Sequence, residues 1–233
     1  MKNCFKYILI LTISASFVSC KKDNYAEPGS FLTGKLMYNG DSIQLERNQV
    51  PFQLYQYGFG KVGPINGTFE QNGSYSALLF DGNYKLIIPN GQGPFLWKQN
   101  AVGDPDSLSI TLNGSQTVNL EVTPYYMIRN THISGSGGTV TATFKIDKII
   151  TDSLAKDIER VSLYINKTQF VSGGENIALK DMAGSDITDP DNVTLSVSVP
   201  ALATTQSYVF ARVGIKIANV EDMIFSPLEK VSF

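Results

Sequence analysis

Asn72-Gly73-Ser74-Tyr75-Ser76-Ala77-Leu78-Leu79-Phe80-Asp81-Gly82-Asn83-Tyr84-Lys85-Leu86-Ile87-Ile88 reads as two short β-strands and the turns that bound them. Asn-Gly opens the stretch and Asp-Gly divides it. Both dipeptides accept the positive φ angles of tight turns, and the Tyr, Leu and Ile runs beside them suit a pleated, half-buried surface. The same grammar extends in both directions. Phe31 to Tyr38 closes on Asn39-Gly40, and Ser107–Leu112 and Thr117–Val122 flank Asn113-Gly114. Val50 to Gln56 alternates, with Val50, Phe52 and Leu54 on one side and Pro51, Gln53 and Tyr55 on the other. Pro51 cannot donate to a ladder, which predicts an edge strand or a bulge there. About seven short strands before Pro124, with no helix of convincing period, read as a β-sandwich.

At Pro124-Tyr125-Tyr126 the pattern pauses and then restarts. Thr139 to Ile146 sets Val140, Ala142, Phe144 and Ile146 against Thr139, Thr141, Thr143 and Lys145. Thr194 to Val199 sets Leu195, Val197 and Val199 against Thr194, Ser196 and Ser198. This period-two alternation marks strands with one buried face. Val161–Ile165, Tyr208–Ile217 and Met223–Val231 complete the set, and Thr151 to Ile158 is the one stretch open to a short helix or a loop. The predicted fold is all-β, two antiparallel β-sandwich domains in tandem over residues 30–125 and 126–233. Length is consistent with this, since 233 residues suffice for two domains of ordinary size.

Ahead of the domains, Lys2 and Lys6 precede an apolar run from Tyr7 to Val18 that ends in Ser19-Cys20. A charged start, an apolar middle and small residues at the end make a secretion signal, too short to remain as a membrane-spanning helix. A buried strand or helix is the alternative, and the run's start at Met1 and its Ser-Cys end favour the signal. Residues 1–19 are read as the signal and 20–29 as a polar tether. Removing 1–19, which carries two lysines and no acid, moves the formal net charge from −2 to −4. A mildly acidic chain repels phosphate backbones, so nucleic acid is not an expected partner. Cys4 and Cys20 are the two cysteines, both N-terminal. The folded body therefore has no thiol nucleophile, zinc cluster or disulfide framework of its own.

Ser19-Cys20 resembles a bacterial lipobox, with Phe17 standing where Leu is usual. That resemblance implies cleavage before Cys20 and lipid attachment to it, hence anchoring by several acyl chains. Lys21-Lys22-Asp23 is similar to the charged signals that send lipoproteins of Bacteroidetes to the cell surface, which implies an outer-membrane lipoprotein facing outwards. Gly73-Ser74-Tyr75 and Gly82-Asn83-Tyr84, after Thr33-Gly34-Lys35-Leu36, resemble the transthyretin-like, carboxypeptidase-regulatory sandwich, whose members usually serve as structural modules. Leu202 to Tyr208 is similar to the tyrosine corner of fibronectin type III domains, with Leu202 and Tyr208 matching and Thr204 and Gln206 departing. There Tyr208 would bond back to upstream backbone. With the signal, Thr123-Pro124-Tyr125-Tyr126 and Leu163 to Val171, the whole mature chain resembles a two-domain family of unknown function in lipoproteins of gut Bacteroidetes. Its members accompany glycan-uptake systems of the starch-utilisation type. A polysaccharide or oligosaccharide and an outer-membrane transporter are the partners this implies. Asp41-Ser42-Ile43, Asp106-Ser107-Leu108 and Asp152-Ser153-Leu154 resemble the O-glycosylation triplet of exported proteins in that phylum.

Residues suited to catalysis are few. His132 is the one histidine, at a predicted strand end, which suits a structural or solvated role better than a triad. No glycine motif follows a strand and opens a helix to hold phosphate. A carboxylate pair for glycoside hydrolysis is not settled by spacing, but the acidic residues fall mostly in turns, where Asp caps its own backbone. The clusters Asp104, Asp106 and Asp186, Asp189, Asp191 sit beside Pro105 and Pro190 and lack a calcium-loop pattern, so they read as turns. No enzyme activity, metal or cofactor is expected. Two aromatic loops remain: Tyr55, Tyr57 and Phe59 among glycines, and Gln92, Phe95 and Trp97 within Gly91 to Lys98. Sugars stack their C–H faces on such rings while amides bond their hydroxyls. The competing role for Trp97 is a plug at the end of the sandwich or between the domains.

Overall fold

The computed structural model describes residues 26–58, 60–202 and 206–233. The first sandwich is built from β1 (Ser30–Tyr38), β2 (Asp41–Ser42), β3 (Pro51–Gln56), β4 (Pro64–Thr68), β5 (Ser74–Leu79), β6 (Gly82–Ile87), β7 (Phe95–Leu96), β8 (Leu108–Leu112), β9 (Gln116–Thr117), β10 (Leu120–Glu121) and β11 (Thr123–Pro124). One sheet centres on β1, which pairs antiparallel with β5 and β2 and parallel with the short β9 and β10. The other runs β4-β3-β6-β8, antiparallel throughout. Alternation decides which side chains fill the space between them. Leu32, Leu36 and Tyr75 come from one sheet, and Phe52, Leu54, Tyr84, Leu86, Ile110 and Leu112 from the other, all buried. Phe52, Phe69 and Tyr75 pack as tilted and edge-on rings with centroids 5.1–5.7 Å apart, which the ring quadrupoles favour.

Turn chemistry is as the sequence dictates. Asn39 and Gly40 take φ of 49° and 88°, joining Tyr38 directly to Asp41. The reading of Pro51 needs correction. It opens β3, an interior strand between β4 and β6, and the first position of a strand tolerates a missing donor. The edge is β4, whose Pro64-Ile65-Asn66-Gly67-Thr68 carries no strand pattern and lies mostly exposed. Tyr84 donates its hydroxyl to the Phe80 carbonyl four residues back at 2.8 Å, so a tyrosine-corner contact occurs in the first domain. Of the corner expected at Tyr208, residues 203–205 lie outside the described residues. The Tyr208 ring lies 3.8 Å from Lys230 Nζ and edge-on to Phe210.

The second sandwich comprises β12 (Tyr126–Ser136), β13 (Thr139–Lys148), β14 (Ile158–Asn166), β15 (Ala178–Ala183), β16 (Val193–Ser198), β17 (Tyr208–Ile217), β18 (Ile224–Phe225) and β19 (Glu229–Ser232). A β12-β13-β16 sheet faces a sheet in which β14 lies between β15 and β17, and β18 and β19 pair β17 in turn. Residues 151–157 are turn and loop. The fold is thus all-β, two antiparallel sandwiches in tandem, with the parallel β1–β9 and β1–β10 contacts as local exceptions.

In β14 and β17 the alternation fails. Val161 through Asn166 and Ala211 through Ile215 are buried on both faces. The inner face meets its own sandwich. The outer face carries a second small core of Tyr164, Val171, Met223 and Phe225, and the first domain bonds to this region. Phe225 N–H donates to the Gln44 carbonyl at 3.0 Å. Gln71 clamps the 169–171 segment, donating from Nε2 to the Gln169 carbonyl and accepting the Val171 N–H. Arg212, 1% exposed, is the keystone. Its guanidinium donates to the Val171 carbonyl (2.6 Å) and the Leu45 carbonyl (2.8 Å) and lies 3.7 Å from the centroid of the Phe225 ring. Burial pulls its pKa down to about 9, with Glu46 and Glu175 acting the other way, so it remains cationic at neutral pH. Arg129 with Asp41 adds a peripheral ion pair across the joint.

Candidate functional site

After β6 the chain turns through Pro89-Asn90-Gly91-Gln92-Gly93-Pro94 into the β7–β11 ribbon, where Phe95 pairs with Pro124 and Leu96 with Thr123. This ribbon leads straight into Tyr125, so the loop that carries Trp97 is built against the domain joint. Gly93 has φ of +83°, and a Cβ there would stand 2.4 Å from the Phe95 ring. Glycine thus lets Phe95 go down into the core, where its burial contributes about 1.5–3 kcal/mol. Phe95 is structural, with 4% of its surface exposed.

Around this loop lies a cleft of about 260 Å³ lined by both domains. The first domain supplies Asn90, Gln92, Trp97 and Gln99, and the second supplies Lys156 and Asn219. Trp97 is half-buried, packs against the core and donates its indole N–H to the Asp106 carbonyl at 2.7 Å. That bond fixes the ring and leaves its apolar surface as the part offered to the cleft. Lys156 donates to the Asn219 carbonyl at 2.9 Å and lies 5.4 Å from the Tyr125 ring centroid. Among the described residues no carboxylate lines this cleft.

Behind the loop, Gly93 N–H donates to Asp222 Oδ2 at 2.7 Å, a bond between the domains. Burial raises the Asp222 carboxyl above the ordinary value of 3.8, and the Gly93 bond only partly offsets this. With a folded pKa above the unfolded one, the folded state holds more protons in the window upward from 3.8, so this group's contribution falls as pH rises through it. Asp222→Asn keeps an oxygen acceptor and removes the charge. Its melting temperature relative to the unaltered protein is therefore expected to rise as pH is taken from 4 to 7 in a pair of thermal melts, whereas a constant offset would show that Asp222 does not titrate in that range.

A second, shallower hollow of about 320 Å³ is lined by Tyr55, Tyr57, Lys85, Ile87, Asn100 and Pro105 to Ser107. Tyr57 is 53% exposed, with Lys85 Nζ 5.7 Å from its ring centroid. Tyr55 donates its hydroxyl to Gln53 Oε1 at 2.9 Å. The structure therefore divides the aromatic residues singled out in the sequence: Gln92, Phe95 and Trp97 line one hollow, Tyr55 and Tyr57 the other. Phe59, like Cys20, lies outside the described residues. Lys156 and Asn219 escaped sequence reasoning because isolated polar loop residues carry no pattern.

The remaining candidates are dispersed. His132 is exposed at a bulge in β12, beside Asn130 at φ 50°. Asp106 accepts Ser107 N–H, Asp189 accepts Asp191 N–H, and Asp191 pairs with Lys145 at 2.9 Å. Among the described residues no three acidic, His or Cys side chains gather as a metal site. Of the serines in the Asp-Ser-apolar triplets, Ser153 stands in an exposed turn, Ser42 donates to the Asn72 carbonyl, and Ser107 lines the second hollow.

Fold and cleft together define a tandem β-sandwich protein with an aromatic, amide-lined cleft at the domain joint. Comparison with known proteins identifies the family. Residues 30–123 match the protein of unknown function (DUF3823) N-terminal domain, and residues 126–230 match the domain of unknown function DUF3823_C. The chain belongs to the DUF3823 family. It is similar to a solved DUF3823 family protein from Parabacteroides merdae, with 34% identity and a TM-score of 0.77 over 89% of this chain and 100% of that one. It is also similar to one from Bacteroides ovatus, with 28% identity and a TM-score of 0.75 over 87% and 98%. A putative carbohydrate binding protein from Bacteroides uniformis shares the fold at 15% identity and a TM-score of 0.68, over 88% and 100%. No curated protein matches the chain.

Proposed function

We propose that this protein is a non-enzymatic binding module that holds a polysaccharide or oligosaccharide for uptake at the outer membrane, lipid-anchored through Cys20 and facing the cell surface. The observation that carries the reading is the cleft: a fixed indole beside Asn90, Gln92, Gln99 and Asn219, with no lining carboxylate among the described residues. A sugar ring offers a C–H face for the indole and hydroxyls for the amides. A general acid and base for glycoside hydrolysis would require carboxyl groups at that surface. The carbohydrate-binding name of the Bacteroides uniformis protein agrees with this reading. The anchor rests on Ser19-Cys20 and the preceding apolar run.

Affinity electrophoresis against a panel of polysaccharides is expected to show retardation by one of them. Trp97→Ala is expected to weaken it at least about tenfold. Gln92→Ala, a loop change outside the core, is expected to weaken it as well and separates lost contact from lost folding. A blank panel would reject the reading. It would favour a spacer or assembly protein that contacts an outer-membrane transporter or another lipoprotein, a role that the locked joint at Arg212 also suits.

A further inference from the structure

The two hollows share Pro105 in their linings, and the chain neighbours Gln99 and Asn100 line one hollow each. We propose that they are successive subsites for one extended glycan chain, so that the ligand is an oligosaccharide or polysaccharide segment and not a single sugar. This rests on the carbohydrate reading above and adds where successive units of the chain would sit.

Size comes first. Pockets that enclose small ligands run from about 300 to 1,000 Å³. At about 260 and 320 Å³, the hollows stand just below and just above the floor of that range, and joined they fall well inside it. Chemistry repeats across the divide. Trp97 with Gln92 and Gln99 serves one side, and Tyr57 with Lys85 and Asn100 serves the other. Repetition of a ring plus hydroxyl-bonding groups is what a chain of similar units would meet.

The ridge between them is held firmly. Gln99 and Pro105 form a backbone bridge, the Asn100 side-chain carbonyl accepts the N–H groups of Val102 and Asp104 at 3.0 Å each, and Trp97 Nε1 holds the Asp106 carbonyl. Subsites on either side of such a ridge keep a fixed spacing, which selects for chain geometry. Tyr57 has no role in the core that would account for it. Exposed over half of its residue surface and beside Lys85, it makes a stacking platform.

Calorimetric titration of the full chain with malto-, cello-, xylo- and manno-oligosaccharides, each as disaccharide and hexasaccharide, tests this. For the linkage that binds, the hexasaccharide is expected to bind at least about tenfold tighter than the disaccharide. Tyr57→Ala is expected to remove most of that gain while changing disaccharide affinity far less, and Tyr57→Phe, which keeps the ring, to retain it. Equal affinity for the two lengths, or an equal loss for both in Tyr57→Ala, would overturn the two-subsite proposal and leave carbohydrate binding standing. Absence of binding by every oligosaccharide would overturn both.

Discussion

Arg212→Ala is expected to destabilise the protein by about 3 kcal/mol or more, lowering the melting temperature by roughly 6–12 °C for a chain of this size. Two buried carbonyls, those of Leu45 and Val171, lose their donors at once, and the Phe225 ring loses the cation above it. The nature of the loss is testable with companions. Arg212→Met restores most of the volume but leaves both carbonyls unpaired, so it should recover little. Arg212→Lys keeps a charge but not the planar fork that reaches two acceptors, so it should recover little as well. Thermal and urea unfolding followed by circular dichroism provides the measurement. If Arg212→Met melts with the unaltered protein, packing and not hydrogen bonding holds the joint.

Gly34→Ala is expected to cost at least about 3 kcal/mol, through backbone displacement. A Cβ at Gly34 would stand 1.8 Å from the Val118 carbonyl oxygen and 2.8 Å from the Tyr75 ring. The oxygen cannot easily retreat, because Tyr75 donates its hydroxyl to it at 2.7 Å and Val118 N–H bonds to Thr33 at 2.7 Å. Gly34 is thus the place where β1 lets the segment joining β9 to β10 cross close by. Soluble yield and melting temperature report the effect. A variant with unaltered stability would mean that this crossing relaxes without cost.

How far the sequence carried depends on which face of a strand one asks about. Inner faces were legible: Val140, Ala142, Phe144 and Ile146 in β13, and Leu195 and Val197 in β16, repeat every second residue and are buried. Asn39-Gly40 and Asn113-Gly114 announced their turns because positive φ restricts the residue choice. The outer face of β14 and β17 was not legible, since its burial comes from a neighbouring domain and loop, not from the sheet's own period. Arg212 accordingly looks like an outward-facing charge until Leu45 arrives from 167 residues away. Edge strand β4 escaped because an exposed edge needs no apolar alternation. In the cleft, Trp97 and Gln92 stood out by residue type among glycines. Lys156 and Asn219 reach the same space only through the packing of one sandwich on the other.

The bond between Gly93 and Asp222 has a bearing on how a ligand would be gripped. The cleft wall that carries Trp97 belongs to one sandwich and the wall that carries Lys156 and Asn219 to the other. With Gly93 tied to Asp222 and Arg212 bonded across the joint, the jaws of this caliper are set before anything enters. A glycan lying between them would spend little of its binding energy on aligning two bodies, and more would remain as affinity. The aperture, and with it the thickness of chain admitted, is then a property of the joint as much as of the loop.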